Sequence, residues 1–307
     1  MDKLNIVNTF TNYVDQLRNT ECSQKEKISC FQHIAECILS PALTAHIYYA
    51  KHCTTATNVL LMFCEDLDST VRMSAEENLN RIFRALERTR VSRIIMDLYG
   101  EIKRNGNQRS LRICLNLFAY YAPHIKERHI KWYAQRLLPC LQIIGQRKET
   151  LLLECLCEFV KSFGKYLQMG LTDSETCQLV EAFIANIGSD CAVKRRCSAQ
   201  NCISLIESSR NKTLMAKHGL NKVIEILLST QATQVIQGAL GFLRILLPLL
   251  IRGFNDDCID DGENPPKKRS RMPYTTLATP DCSDIIITSE SKQIIEIFDY
   301  CLHLLSI

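Results

Sequence analysis

An apolar stripe at helical spacing recurs along this chain at a nearly constant interval, and no other feature restricts the fold as much. In the clearest copy Val71, Ala75, Leu79, Ile82 and Leu86 follow one another at three- and four-residue steps, which puts them on one helix face. Leu111 opens a similar stripe 40 residues later, Leu152 another after 41, Val193 after 41 more and Val235 after 42, while Ile28 begins one 43 residues before Val71. Apolar-periodic segments at 43–64, 91–103, 125–143, 177–187 and 214–228 fill the intervals. A helix pair repeated at this period cannot bury its apolar face alone and stacks on its neighbours. The expected fold is all-α: a solenoid, a superhelix of about six antiparallel helix pairs over residues 1–252. An ordinary bundle also has amphipathic helices, but nothing in it would hold their spacing so constant.

Composition supports helices. Only 11 Gly and 8 Pro occur in 307 residues, about half the usual share, leaving little from which to turn hairpins. The 46% hydrophobic content supplies a core, and a net charge of +4 disfavours both a strongly basic nucleic-acid binder and an acidic tail protein. The opening MDKLNIVNTF lacks the apolar run of a secretory leader, so the 16 cysteines are expected to be reduced. The longest apolar stretch, Leu243 to Ile251, is interrupted by Arg244 and Pro248 and is too short to cross a membrane.

Helix ends are marked locally. Ser23-x-x-Glu26 and Thr172-x-x-Glu175 read as capping boxes, Asn105-Gly106-Asn107 as a helix end and turn, and Ser40-Pro41 as a helix start. Asp68 is placed to cap the Val71 helix. Pro139 and Pro248 fall inside predicted helices, where proline is expected to kink them.

The pattern Asp66-x-Asp68-x-x-Val71-Arg72 resembles the intra-repeat turn of HEAT repeats, Asp190-x-x-Val193-Lys194-Arg195 is a looser copy, and Leu111-Arg112 keeps the second half. The resemblance implies structural turn roles for Asp66, Asp68, Arg72, Arg112, Asp190 and Arg195, with turn aspartates pairing along the stack with Arg72 or Arg112. Longer stretches are more specific. Leu98–Gly106 with Arg109–Arg112, Leu137–Leu141, Ala182–Asn186 with Arg195-Arg196, and Leu246–Leu250, in that order, are similar to the amino-terminal HEAT domain of the huntingtin family over roughly residues 60 to 250. Polyglutamine and proline-rich tracts are absent, which implies an invertebrate-type member. The chain stops inside an apolar pattern, Ile294 to Ile307, without a polar terminal face, and is expected to be an amino-terminal fragment.

Catalytic, cofactor and metal residues are expected to be absent. No C-x-x-C pair occurs, and Cys155 and Cys157 would point about 200° apart on a helix. The cysteines, among them Cys114, Cys155, Cys197 and Cys202, are expected to pack as small hydrophobes. His52-Cys53 and Cys301-x-His303 lack an orienting third group, and no glycine-rich phosphate loop exists. Leu4, Val7, Phe10, Val14 and Leu17 line one face of a leader helix whose charges, Asp2, Lys3, Asp15 and Arg18, carry no basic excess. That face is expected to pack on the solenoid, with membrane contact at most peripheral.

Residues 253–289 lack periodicity and read as an acidic/basic linker, and 290–307 as the start of a further, truncated repeat. Within the linker, Lys267, Lys268, Arg269 and Arg271 match a nuclear-localisation pattern or form a solubilising loop. Resemblance to huntingtin implies a non-enzymatic scaffold for vesicle and organelle transport along microtubules and for selective autophagy. Its implied partners are proteins: the huntingtin-associated partner protein, dynein–dynactin and kinesin adaptors, and vesicle proteins, with no specific nucleic acid. The implied location is the cytoplasm with nuclear shuttling. The alternative is an importin-β-like nuclear transport receptor or another HEAT-repeat regulatory scaffold.

Overall fold

The structure, a computed structural model, describes residues 3–19, 21–229 and 232–257. The remainder of the expected linker, its basic cluster Lys267, Lys268, Arg269 and Arg271, and the segment 290–307 lie outside the described residues. The chain divides into two compact units, Met1–Gly253 and Phe254–Ile307.

Among the described residues the secondary structure is helical, without strands. The helices are α1 (Lys3–Arg18), α2 (Gln24–Leu39), the short α3 (Pro41–Thr44), α4 (Tyr49–Phe63), α5 (Ser69–Arg104), α6 (Gln108–Tyr121), α7 (Glu127–Gly145), α8 (Thr150–Gly170), α9 (Asp173–Ile184), α10 (Ala192–Ser208), α11 (Lys212–Ser229) and α12 (Thr233–Asp257), with a 3-10 turn at Ala122–His124.

Both capping boxes form. The backbone N–H groups of Ser23 and Thr172 each donate to the third-residue glutamate at 2.8 Å. Asn105 closes α5 at φ 49°, ψ 47°, a left-handed conformation that asparagine tolerates, and Asn107 caps α6.

Two segments differ from the periodicity. The stripes at 71–86 and 91–103 lie on one 36-residue run, α5, bent at Arg90 (φ −142°, ψ 32°). The sequence between them has neither Gly nor Pro, so one non-helical residue re-aims the helix without a loop. Arg90 lies 4.7 Å over the Tyr49 ring, and the bend is packed rather than free. The 43–64 segment is instead broken at 45–48, because the Tyr49 hydroxyl donates to the Ile38 carbonyl (2.9 Å) and pins the start of α4 to the end of α2. Proline does not break α7. The helix passes through Pro139 on its exposed side, where water can reach the Gln135 carbonyl that Pro139 leaves unbonded.

The helices form two rows. In one, α2, the amino-terminal half of α5, α6, α8 and α10 pack in succession, and in the other α4, the carboxy-terminal half of α5, α7, α9 and α11 do so. The halves of α5 are told apart by their contacts. Gln24 of α2 reaches Thr70, while Thr54 of α4 donates to Asp97 at 3.1 Å. Phe118 is a hub of the core, meeting Tyr133, Phe159 and Phe163 at ring distances of 5.6, 6.2 and 5.3 Å.

The leader helix α1 packs on α2 and α3, burying Ile6, Phe10, Val14 and Leu17. Val7, expected in that stripe, is only half-buried and Ile6 is buried in its place. No described helix is long and apolar enough to cross a membrane.

Candidate interaction surface

The turns that open α5 and α10 share one construction. Asp68 caps α5, its carboxylate accepting the N–H groups of Thr70 (2.7 Å) and Val71 (3.1 Å). Arg72 folds back so that Nη1 donates to the carbonyls of Asp66 (2.8 Å) and Leu67 (2.7 Å). Arg195 repeats this on the carbonyls of Ser189 (2.6 Å) and Asp190 (3.0 Å). Each arginine thus satisfies acceptors that a tight turn leaves open.

The Asp–Arg pairing expected along the stack is not what the turns use. Asp66 pairs backward with Lys27 of α2 at 2.8 Å, and both side chains are largely buried. The Asp190 residue is exposed, and Cys191 takes the N-cap position of α10. Arg112 reaches neither turn aspartate. Its carbonyl accepts from Cys155 Sγ at 3.4 Å, and its Nε is buried without a hydrogen-bond partner among the described residues. The reason is reach: Arg72 and Arg195 each have two carbonyls of their own turn close by, and at the first turn the Asp66 carboxylate is already engaged by Lys27.

Cohesion between repeats comes from other side chains. Arg104 Nη2 donates to Asn58 Oδ1 at 3.1 Å. Arg147 Nη1 donates to the Gly106 carbonyl (2.9 Å) and Asn105 Oδ1 (3.2 Å), while its Nε holds Glu149 (3.1 Å). Asn186 Nδ2 donates to the carbonyls of Gly145 (2.8 Å) and Arg147 (3.2 Å). The motif reading missed Lys27, Arg147 and Asn186. The available signal was the period itself, since each lies 39 to 42 residues from its partner.

Charge at the first turn is held by these contacts. Partial burial opposes ionisation of Asp66, but the Lys27 ammonium and the Asp68 N–H outweigh it and hold the carboxyl below the usual range. The Thr70 hydroxyl, then the Val71 and Thr70 N–H groups, hold Asp68 low as well.

The thiols sit in the packing. Cys114, Cys155, Cys197 and Cys202 are buried and outside any disulfide. Cys155 and Cys157 face opposite neighbours: Cys155 meets Asn116 of α6 at 3.0 Å and Cys157 the Cys197 carbonyl of α10 at 3.4 Å. Burial pushes the Cys155 thiol up to about 11 and Cys64 to about 12, so neither is a thiolate near neutral pH. His52 Nε2 is buried without a hydrogen-bond partner among the described residues, and burial lowers its basicity. No group of three His, Cys, Asp or Glu side chains that could hold a metal ion occurs among the described residues.

The surface carries open grooves. One of about 1130 Å³ lies between α2 and α5, lined by Glu36, Met73, Glu76, Arg81 and Arg84. Another of about 620 Å³ lies between α7 and α9, lined by Pro139, Gln142, Ile143, Gln178 and Glu181. Each is walled by side chains from neighbouring repeats.

The turns and links from residue 66 to residue 195 fall inside one matched region. The family model of the huntingtin amino-terminal HEAT domain, its first part, matches residues 60–211. Huntingtin of Takifugu rubripes is 33% identical over 236 residues, which is 76% of this chain and 8% of that protein. The chain therefore corresponds to a small share of that relative's length. An engineered protein of known crystal structure overlays 77% of this chain and 98% of its own, at 14% identity and a TM-score of 0.36, too remote a likeness to bear on the fold. Through the HEAT domain at residues 60–211, the chain belongs to the huntingtin family.

Proposed function

We propose that this chain is a non-enzymatic protein-interaction scaffold of the huntingtin kind, organising vesicle and organelle transport along microtubules and selective autophagy. The observation that supports this reading best is the two-row stack. Each repeat presents solvent-facing side chains from helices fixed by turn-to-turn links, and the grooves between helices stay open. Such a surface suits contact with other proteins better than closure around a small molecule. His52, beside Cys53 in the chain, has no hydrogen-bond partner on Nε2 among the described residues to orient it as a base. By family, its partners are the huntingtin-associated partner protein, dynein–dynactin and kinesin adaptors, and vesicle proteins. Its place is the cytoplasm, with nuclear entry where Lys267, Lys268, Arg269 and Arg271 act as an import signal.

The test is proximity labelling in cells with the full chain fused to a labelling enzyme. Labelling of motor adaptors and vesicle proteins is expected. Predominant labelling of nucleoporins would favour the importin-β-like reading, and labelling of neither group would end the scaffold reading.

A further inference from the structure

Trp132 is the single tryptophan of the chain, and it is 43% exposed. A large aromatic side chain left partly in water on a helix flank is a common mark of a contact surface. Here it is also held in place. Its ring meets Tyr133 at 4.8 Å and 90°, and Tyr99 of α5 at 5.8 Å and 67°. The Arg136 guanidinium lies 4.1 Å over its face. Met96, a turn before Tyr99 on α5, is exposed as well.

The unpaired charge around this cluster is basic, since the buried Asp97 and Glu101 of α5 pair with Arg93 and Arg104. Arg128, Trp132 and Arg136 follow at four-residue steps and form one stripe of α7. Exposed Lys131 flanks it, and exposed Lys103 lies one turn past Tyr99 on α5. The one acidic side chain of α7 is Glu127, which pairs with Lys131 at 3.1 Å. Arg128, Arg136 and Lys103 make no ion pair among the described residues. The neighbouring helix α9 is acidic instead, with exposed Asp173 and Glu181, so the basic patch is local and not a reflection of net charge.

We propose that the flank made by α7 and the carboxy-terminal half of α5, centred on Trp132, docks an acidic peptide segment that carries an apolar side chain. This rests on the scaffold reading and names one of its surfaces. Stacked on the indole, Arg136 keeps its N–H edge free for a carboxylate, in the planar geometry that favours two parallel hydrogen bonds. Arg128 and Lys103 steer further acidic groups, and the Trp132–Tyr99–Met96 cluster takes the apolar side chain. Nucleic acid fits less well, because Arg136 occupies one face of the ring on which a base would stack. A lipid surface also fits less well, because the exposed stripe runs Arg128, Trp132, Gln135, Pro139 and offers no continuous apolar ridge to insert.

The full chain is titrated with a short synthetic peptide of glutamates interrupted by phenylalanine, read by the fluorescence of the lone tryptophan. A saturable change is expected. Anisotropy of the labelled peptide then follows the variants. Trp132→Ala should weaken binding by at least about tenfold. Arg128→Glu with Arg136→Glu should abolish it, and Lys161→Glu with Lys165→Glu on α8 should leave it unchanged. Arg128→Glu alone touches no packing and stands in if Trp132→Ala does not melt cooperatively. No saturable change, or equal weakening by the α8 pair, overturns the proposal. So does tighter Arg128-dependent binding of single-stranded RNA or phosphatidylserine vesicles than of the peptide. Loss of peptide binding with adaptor labelling intact would remove this surface alone, whereas loss of labelling with peptide binding intact would remove the scaffold reading.

Discussion

At the turn before α5, Asp68 and Arg72 close the loop from within and Lys27 only adds to it through Asp66, whereas the turn before α8 has no such closure and Arg147 reaches 41 and 42 residues back to Gly106 and Asn105. The first helix start is capped by its own side chain. The second has Glu149 at the N-cap position with no side-chain cap bond, and its carbonyl neighbours Gly145 and Arg147 are satisfied by Asn186 from the next repeat. A turn that terminates locally needs particular residues at fixed offsets and leaves a motif. A turn held from outside needs only a donor of suitable reach one repeat away and leaves none. The stack therefore loses most where its least recognisable residues are removed.

The turn before α10 combines both modes, and it gives the largest expected effect. Arg195 closes it from within, and α12 presses on it so closely that a Cβ at Gly238 would lie 1.9 Å from the Ile187 carbonyl. Backbone cannot give way as a side-chain end can, so Gly238→Ala should cost about 2–3 kcal/mol in urea unfolding. A midpoint equal to wild type would show that α12 does not rest on this turn. Next comes Asn186→Ala, which leaves two carbonyls of the α7–α8 joint without their amide, at about 2 kcal/mol by the same measurement. Arg147→Ala should follow at about 1–2 kcal/mol and exceed Arg72→Ala, at about 1 kcal/mol. The reverse order would break the contrast between turns held from outside and turns closed on themselves.

The smallest effect is in the acid limb of stability. Asp66 and Asp68 are held below the usual carboxylate range in the folded chain, against about 4 when unfolded. Their contribution is complete above the unfolded value and is lost as pH falls through the folded values. Burial moves Asp97 the other way, against the opposing pull of Arg93 and Thr54, so it does not add to that loss. The double variant Asp66→Asn, Asp68→Asn should flatten the decline in melting midpoint below about pH 4. A decline as steep as in wild type would place the acid sensitivity elsewhere.

What the sequence determined by itself was the period, the helix ends and the side of the helix on which thiols lie. Each depends on residues three or four apart, or on a fixed multiple of one repeat: Ser23 with Glu26, Thr172 with Glu175, Asp68 with the N–H groups after it, and Cys155 against Cys157. Tertiary structure decided the rest. Polar side chains in α10 obscure its stripe, yet from Cys197 to Ile206 only Gln200 is exposed, because α8, α9 and α11 surround it. Ser198 can be buried there because its hydroxyl finds the Phe183 carbonyl. Whether Arg72 met a carboxylate or a carbonyl, whether α5 bent or broke at Arg90, and whether Trp132 faced the core or water are competitions between partners brought together from distant parts of the chain. Local spacing fixes where a side chain begins, but its nearest partner is set only once the neighbouring helices are in place.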